Sequence, residues 1–386
     1  MSGVAIERHE VVVVGGGQSG LAIGFFLQRQ GRDFTILEAA DAPAAAWRER
    51  WDSLRLFTPV RRDSLPGRAF PGDPESYPDR DAVVAYLEDY ARHFELPVEL
   101  NSRVMAVRGG DGGFKVELAD RRYVAQQVVV ATGPFQLPFT PPVASGLAPD
   151  VTQLHSTEYR RPAQLPDGPV VVVGGGNTGY QIAEELARTH EAHLSVGARQ
   201  TPLPQRILGR DLFTYLEALG LMRVTVASRL GRRLRYRETL IGSGPRAAKE
   251  HYGIRLRERT VDAQGADVNF ADGSRLAPAA VIWATGFRLD HSLVQLPVFD
   301  ADGRLEHRRG VTAIPGLYFL GLPWLHTRGS ALLGWVKDDA EYLADRIAER
   351  AATGNGAPDA RRATAFELRL GQSAPAAPLS GTTPAA

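Results

Sequence analysis

The sequence predicts an α/β protein with two doubly wound parallel-sheet units, the second inserted into the first. Two pairs of repeated segments predict this fold. Residues 11–20 (VVVVGGGQSG) and 170–179 (VVVVGGGNTG) each join four valines, typical of a strand buried on both faces, to a glycine-rich turn and a helical pattern. Residues 128–134 (VVVATGP) and 281–287 (VIWATGF) each end an apolar strand in Ala-Thr-Gly, as expected where the chain crosses between the units. A chain of 386 residues is long enough for two domains.

The first unit continues with elements that the local pattern predicts. A helix is predicted from about Gln18 to Arg29, and the strand FTILE follows it and ends at Glu38. Residues 39–80 are rich in loop-forming residues and too long for a simple connector in a compact domain, which indicates a binding role.

Further along, residues 81–94 have apolar positions at helical spacing, and short strands are predicted around Val104 and over 114–118. A proline-rich connector at 134–169 leads to the second glycine turn. The helix after that turn is predicted at about 180–189.

The strand AHLSVGAR (192–199) follows in the second unit. The segment PGLYFLGLPWLHTRGSALLGWVKDDAEYLADRI (315–347) predicts a strand, a loop and a last helix that starts near Ser330. We therefore predict one discontinuous domain over 1–165 and 286–351, an inserted domain over 166–285, and a disordered tail over 352–386 because that tail is rich in Ala, Pro, Gly and Thr.

Each glycine turn has the pattern Gly-x-Gly-x-x-Gly between a strand and a helix, which is typical of Rossmann-like dinucleotide-binding domains. The first glycine makes the tight turn, the second allows the diphosphate to approach the backbone, and the third allows close packing of helix and strand. The helix N-terminus then offers free N–H groups and a positive dipole end to the phosphates. One such motif alone is a weak signal, but two in the same context predict two nucleotide sites.

The residue at the end of the next strand indicates which nucleotide each unit takes. Glu38 ends that strand in the first unit, and a carboxylate there accepts hydrogen bonds from free ribose hydroxyls, which suits FAD. The second unit has no acid at this position, and Arg199 can pair with a 2′-phosphate, which suits NADPH. The alternative for Arg199 is a solvated surface arginine. We thus predict an NADPH domain inserted into an FAD domain, the glutathione-reductase-like architecture.

The composition excludes several classes of function. The chain has no cysteine, so it has no disulfide framework, no thiolate metal site and no redox-active cysteine pair. Its net charge of +1 gives no electrostatic reason to expect a nucleic-acid or membrane partner. No apolar run approaches the ~20 residues that span a bilayer, and the N-terminus does not resemble a signal peptide, so we expect a cytoplasmic protein.

Five further segments resemble one family from about residue 8 to residue 347. They are WRERWDSLRLFTP, FPGDPESYPDRDAVVAYLEDYARHF, HSTEYRRP, ARQTPLPQRILG and TRGSALLGWVKDDAEYLA. The chain resembles the class B flavin-dependent monooxygenases, particularly the YUCCA-type and related bacterial members. The resemblance implies that FAD is bound by Gly15, Gly17, Gln18, Ser19, Gly20, Glu38, Trp47, Thr58, the backbone of Val104, and the cover segment that begins at Gly321. It implies that NADPH is bound by Gly174, Gly176, Asn177, Thr178, Gly179 and Arg199.

The resemblance also implies the reaction. NADPH reduces FAD, O₂ adds at flavin C4a, and NADP⁺ protects the resulting (hydro)peroxyflavin until a small organic substrate takes one oxygen atom. No general acid or base stands out in the sequence, and we assign no catalytic residue. His155 and Tyr159 match the core of the Baeyer–Villiger signature, but Pro149 and Val151 replace its upstream Phe and Gly, which weakens a ketone-to-ester interpretation. Phe57 stands where animal-type members carry asparagine.

Three alternatives to a monooxygenase follow from the same architecture. A disulfide reductase of the thioredoxin-reductase kind requires a cysteine pair that this chain lacks. An FAD/NADPH oxidoreductase that passes electrons to a separate acceptor without oxygenation, and a non-catalytic redox sensor, stay open. His155 as a structural histidine and Phe57 as core packing are the corresponding alternatives for those two residues.

Overall fold

The computed structural model describes residues 5–110, 112–198, 201–235 and 239–353. Its strands are β1 Ala5–Val14, β2 Phe34–Leu37, β3 Val98–Glu99, β4 Ala106–Gly110, β5 Gly113–Glu117, β6 Arg121–Val130, β7 Leu137–Pro138, β8 Thr152–His155, β9 Pro169–Val173, β10 Glu191–Ser195, β11 Arg206–Ile207, β12 Arg210–Asp211, β13 Arg255–Arg257, β14 Thr260–Gln264, β15 Asp267–Phe270, β16 Arg275–Leu276, β17 Ala280–Trp283, β18 Phe287–Arg288, β19 His307–Arg308, β20 Val311–Thr312 and β21 Leu317–Phe319.

Its α-helices are α1 Gln18–Arg29, α2 Ala45–Arg48, α3 Arg80–His93, α4 Asn177–Leu186, α5 Leu212–Ala218, α6 Arg229–Leu234, α7 Pro245–Tyr252 and α8 Val336–Thr353. Short 3-10 turns cover Val60–Arg62, Pro142–Gly146, Pro162–Gln164, Leu221–Arg223 and Arg328–Ala331. Within the described part of the chain, none of these helices is both long and apolar enough to cross a lipid bilayer.

The first sheet has nine strands in the order β19-β20-β21-β6-β1-β2-β3, and β4 and β5 continue it beside β6. β1 pairs in parallel with β2 and β6, so its four valines lie in the middle of the sheet. Val11 and Val13 pack toward α1 and α8, whereas Val12 and Val14 pack toward the opposite face with Phe114. Both faces of the strand are therefore covered, which is the physical reason for the unbroken valine run.

The second sheet has five parallel strands in the order β13-β10-β9-β17-β8. Its valine run, Val170–Val173, lies in β9 between β10 and β17 and alternates between two hydrophobic clusters in the same way. The structure therefore confirms the predicted α/β fold with two sheet units, of which the second is parallel throughout and the first adds antiparallel strands beside a parallel centre.

The structure differs from the sequence predictions in several local details. β8 pairs in parallel with β17 in the second sheet, although the predicted boundary at residue 165 assigned it to the first unit. The second-unit helix begins at Asn177 and not near 180, because Gly176 is its N-cap just as Gly17 is for α1. Val104 precedes β4 and lies outside a strand. α8 runs to Thr353, and the predicted tail beyond it lies outside the described residues.

Candidate cofactor-binding site

In the first glycine turn, the first and third glycines of the motif are required by close packing, and the second faces open space. Gly15 has a φ of +111°, and a Cβ there would lie 2.7 Å from the carbonyl oxygen of Ala131. A Cβ on Gly20 would lie 1.9 Å from the carbonyl oxygen of Gly15. A Cβ on Gly17 would meet no heavy atom within 4 Å, and no side chain caps the start of α1. The first N–H groups of α1 therefore face a space that a diphosphate can enter.

The second glycine turn repeats this geometry. Gly174 has a φ of +125°, and a Cβ there would lie 2.2 Å from the carbonyl oxygen of Ala284. A Cβ on Gly179 would lie 1.8 Å from the carbonyl oxygen of Gly174, and again no side chain caps the helix that follows. Ala131 and Ala284 are the alanines of the two Ala-Thr-Gly repeats, so each repeat packs directly against one glycine turn.

Glu38 lies beside the first turn, as predicted. Its Oε2 accepts a hydrogen bond from the Gly16 N–H at 2.7 Å, and its Oε1 accepts one from the Ala40 N–H at 3.0 Å. These bonds hold the carboxylate at the edge of the open space. In the second unit Val196 follows the corresponding strand, and Arg199 lies outside the described residues.

Four predicted FAD-binding residues converge around the start of α1. Gln18 accepts a hydrogen bond from the Trp47 Nε1 at 3.1 Å, and its own Nε2 donates to the Ala331 carbonyl oxygen at 2.9 Å. Ser19 is 5% exposed, and a Cβ on Gly321 would lie 2.1 Å from its Oγ. The C-terminal segment thus packs on the first turn, although more than 300 residues separate Gln18 from Ala331.

The same C-terminal segment reaches the second turn. Asn177 donates from Nδ2 to the Thr239 carbonyl oxygen at 3.2 Å and accepts at Oδ1 from the Ile241 N–H at 2.9 Å. The Thr239 hydroxyl in turn accepts a hydrogen bond from Arg328 Nη1 at 2.8 Å. Burial lowers the pKa of Arg328. The short turn Arg328–Ala331 therefore connects the two glycine turns, with Ala331 on one side and Arg328 on the other.

The predicted start of the last helix, in the cover segment, is wrong. The last helix begins at Val336 and not near Ser330, because Leu332 adopts an extended conformation after the 3-10 turn. The Ser330 hydroxyl instead accepts hydrogen bonds from the N–H groups of His326 and Thr327.

An ion-pair network holds the predicted binding loop against the second unit. Asp211, which is 1% exposed, pairs with Arg61 and Arg62 and caps α5 through the Thr214 N–H. Burial alone would raise the pKa of Asp211, but hydrogen bonds from Thr214 and Arg61 and the charges of both arginines lower it to about 2. The network joins the loop that carries Thr58 to the segment that contains RILG.

Thr58 leads to a residue that the sequence analysis missed. Its hydroxyl lies 2.6 Å from Oδ1 of Asp63, whose side chain is 0% exposed. Burial raises the pKa of Asp63 to about 8, and the hydrogen bond with Thr58 offsets this only in part. Asp63 stands in the charged run VRRDS, which by sequence alone is typical of a solvated turn.

Two residues singled out in the sequence have mainly structural contacts. The His155 ring lies within hydrogen-bond distance of the Gly286 carbonyl oxygen and the Thr157 hydroxyl, and burial lowers its pKa. Phe57 stacks on Phe213 with ring centroids 6.1 Å apart, in a hydrophobic cluster that also includes Trp335. The structure thus favours packing roles for both.

Comparisons with known proteins agree with this geometry. The pyridine nucleotide-disulphide oxidoreductase family matches residues 12–217. A Geobacillus kaustophilus protein described as an uncharacterized oxidoreductase CzcO-like is 45% identical over 340 residues, which cover 88% of this chain and 98% of the relative. The chain belongs to the pyridine nucleotide-disulphide oxidoreductase family.

Other similar proteins place this family member near the flavin monooxygenases. Rice indole-3-pyruvate monooxygenase YUCCA1 is 30% identical over 390 residues, which cover 88% of this chain and 93% of the relative. The structure of a flavin-containing monooxygenase from Stenotrophomonas maltophilia matches with a TM-score of 0.75 and 30% identity, and covers 89% of this chain and 99% of that one. These findings confirm the predicted resemblance and show that the chain is an oxidoreductase.

Membership of this family implies FAD and NADPH as cofactors, and the residues at the two turns fit such groups. Gly17 leaves a cradle that a larger side chain would fill, and both helices begin without a side-chain cap. The hydroxyl of Tyr180, directly after the second turn, is buried and has no hydrogen-bond partner among the described residues, and the same holds for Trp51 Nε1 and Asp63 Oδ2. Such orphaned polar atoms are rare in folded proteins unless a ligand or water completes them.

Proposed function

We propose that this enzyme is an NADPH-dependent FAD monooxygenase that transfers one oxygen atom of O₂ to a small organic substrate. The observation that carries the proposal is the turn Arg328–Ala331, which contacts the first glycine turn directly at Gln18 and is linked to Asn177 of the second through Thr239. Nucleotides that extend from the two turns toward this segment would meet beside it. When bound, reduced FAD would supply the two electrons of the reaction, in which one oxygen atom of O₂ enters the substrate and the other is released as water.

In this proposal the first sheet binds FAD and the second binds NADPH. Gly17 admits the FAD diphosphate to the start of α1, and Glu38 accepts hydrogen bonds from the ribose hydroxyls. Trp47, Thr58, Val104 and Gly321 complete the first site. Gly176, Asn177 and Thr178 serve the NADPH diphosphate, and Arg199 binds the 2′-phosphate.

The packing around the cover segment supports oxygen chemistry because it shields the proposed flavin site from solvent. Trp335 packs on Phe213 with ring centroids 5.3 Å apart, and Phe213 packs on Phe57, which precedes Thr58. A cavity of about 370 Å³ is lined by Trp335, Arg62 and Met222, among others. Its volume is in the range that binds small organic molecules, about 300–1,000 Å³.

The decisive experiment measures where the oxygen goes. The purified enzyme is supplied with NADPH, ¹⁸O₂ and a panel of amines, sulfides, ketones and 2-oxo acids, and products are analysed by mass spectrometry. A monooxygenase incorporates one ¹⁸O atom per NADPH consumed. NADPH oxidation that reduces an added electron acceptor, with no labelled product from any compound, would instead establish the electron-transfer alternative.

The coenzyme assignment has its own test. A charge-assisted pair between Arg199 and the 2′-phosphate contributes about 1.5–3 kcal/mol, so Arg199→Ala should raise KM for NADPH by roughly tenfold or more and leave NADH nearly unchanged. Arg246→Ala is a matched control, because Arg246 is 88% exposed and pairs only with Glu250 on its own helix among the described residues. An equal loss with both coenzymes would show that Arg199 has a structural role.

A further inference from the structure

The buried carboxyl group of Asp63 has no part in the function proposed above, yet it lies next to the proposed flavin site. It follows the turn Val60–Arg62, is 0% exposed, and contacts the Thr58 hydroxyl at 2.6 Å through Oδ1. Its Oδ2 has no hydrogen-bond partner among the described residues. The position is closed by the C-terminal segment, because a Cβ on Gly334 would lie 1.6 Å from the Arg62 carbonyl oxygen and 3.4 Å from the Asp63 Cα.

Within the described part of the chain, no cation pairs with this carboxyl group. The neighbouring Arg62 directs its guanidinium to Asp211 and Glu217. The ionisable group that faces Asp63 from helix α3 is Tyr86, whose hydroxyl accepts from the Leu65 N–H and donates to the Arg68 carbonyl oxygen. A buried carboxylate without a counter-ion is costly, so burial raises the pKa of Asp63 to about 8 and the group is a neutral acid at pH 7.

The protonation state of Asp63 determines which way the hydrogen bond with Thr58 runs. A carboxylate can only accept, so ionised Asp63 requires the Thr58 hydroxyl hydrogen to point at Oδ1. A neutral carboxylic acid carries one O–H, which can donate to the Thr58 Oγ1 instead. The Thr58 hydrogen is then free to be donated elsewhere. The 2.6 Å separation suits both arrangements.

We propose that Asp63 is a positioning residue that holds a proton and thereby makes the Thr58 hydroxyl a hydrogen-bond donor toward bound FAD. The inference rests on the proposed function in placing the flavin of bound FAD beside Thr58. When Asp63 loses its proton to solvent, Thr58 turns its hydrogen to the carboxylate and the donor to the cofactor is lost. A donor stabilises negative charge on a reduced cofactor, so the flavin reduction potential falls as Asp63 ionises.

The test records the flavin absorbance spectrum and reduction potential of the FAD-loaded enzyme from about pH 6 to about pH 9. Wild type should show one transition near pH 8. Asp63→Asn should lose the transition and keep the low-pH spectrum, because the amide is neutral at every pH and its N–H can donate to Thr58 as the carboxylic acid does. Thr58→Val should also lose it, and Thr58→Ser, which retains a hydroxyl, should keep it. Asp302→Asn is the control and should behave as wild type, because Asp302 is 65% exposed.

A second measurement separates this inference from the proposed function. Infrared difference spectra of the full chain as purified report the carbonyl stretch of a protonated carboxylic acid, and this band should disappear near pH 8 in wild type and be absent from Asp63→Asn. If the purified protein contains no FAD, the proposed function is contradicted, but the infrared band should still be present and titrate. FAD bound with no pH transition in wild type, or with the same transition in Asp63→Asn, would overturn the role of Asp63 and leave the proposed function standing.

Discussion

Replacing Gly17 with valine should remove FAD and leave the fold intact. A Cβ at this position meets no heavy atom within 4 Å, and the φ of −79° is ordinary for any residue. The backbone is extended at this N-cap, so a β-branched side chain fits without strain. Loss of glycine at the N-cap should cost at most about 1 kcal/mol of unfolding free energy.

The effect on FAD binding should be much larger. The diphosphate is expected to accept hydrogen bonds from N–H groups at the start of α1, and each charge-assisted bond contributes about 1.5–3 kcal/mol. A valine side chain occupies the space through which the diphosphate approaches. Losing two such bonds corresponds to about 3–6 kcal/mol, or roughly a 10²- to 10⁴-fold weaker affinity.

Gly20→Ala provides the contrasting variant. Its Cβ would lie 1.9 Å from the backbone oxygen of Gly15, which cannot move without breaking the turn. We expect this variant to lose about 3 kcal/mol of unfolding free energy. The FAD content per chain is measured from absorbance, and thermal unfolding of the FAD-free proteins is measured by circular dichroism. Full FAD content in Gly17→Val, or equal destabilisation in both variants, would refute the reasoning.

Three further substitutions test other contacts. Asp211→Asn should lower the unfolding free energy by about 2 kcal/mol at pH 7, because the pKa of Asp211 is about 2 instead of 3.8 and each pKa unit corresponds to ~1.4 kcal/mol. Wild type has this advantage above about pH 4 and loses it as the pH falls through about 2, which urea unfolding measures. Asn177→Ala leaves the Thr239 carbonyl and the Ile241 N–H without their side-chain partner. This variant should therefore bind NADP⁺ more weakly, as measured by calorimetry, while its FAD content stays unchanged. Glu38→Gln should weaken FAD binding by about tenfold in equilibrium dialysis, because the ribose hydroxyls lose a charged acceptor.

Clear outcomes would contradict these expectations. A stability difference between wild type and Asp211→Asn that persists at about pH 2 would mean that the carboxylate charge is not the cause. Unchanged NADP⁺ affinity in Asn177→Ala would show that the loop at 239–241 does not shape the second site. Asp302→Asn again serves as the exposed control.

The sequence alone determined the features that depend on neighbouring residues. The valine runs, the glycine spacing and the helix Gln18–Arg29 were predictable because strand burial, turn conformation and helix starts follow from local pattern and backbone sterics. Glu38 was predictable at its site because the spacing from the glycine turn is set by one helix and one strand.

Only the tertiary structure decided how distant segments complete these turns. The carbonyl groups of Ala131 and Ala284 close on the two glycine turns, and the Arg328–Ala331 turn joins both sites. β8 belongs to the second sheet because it pairs with β17, which lies about 130 residues away in the sequence. Asp63 is the clearest case, since its sequence neighbours indicate a solvated turn but Gly334 covers it. The burial of a carboxyl group depends on residues that pack against it from distant parts of the chain, and burial in turn sets its pKa. The local sequence pattern does not identify those residues.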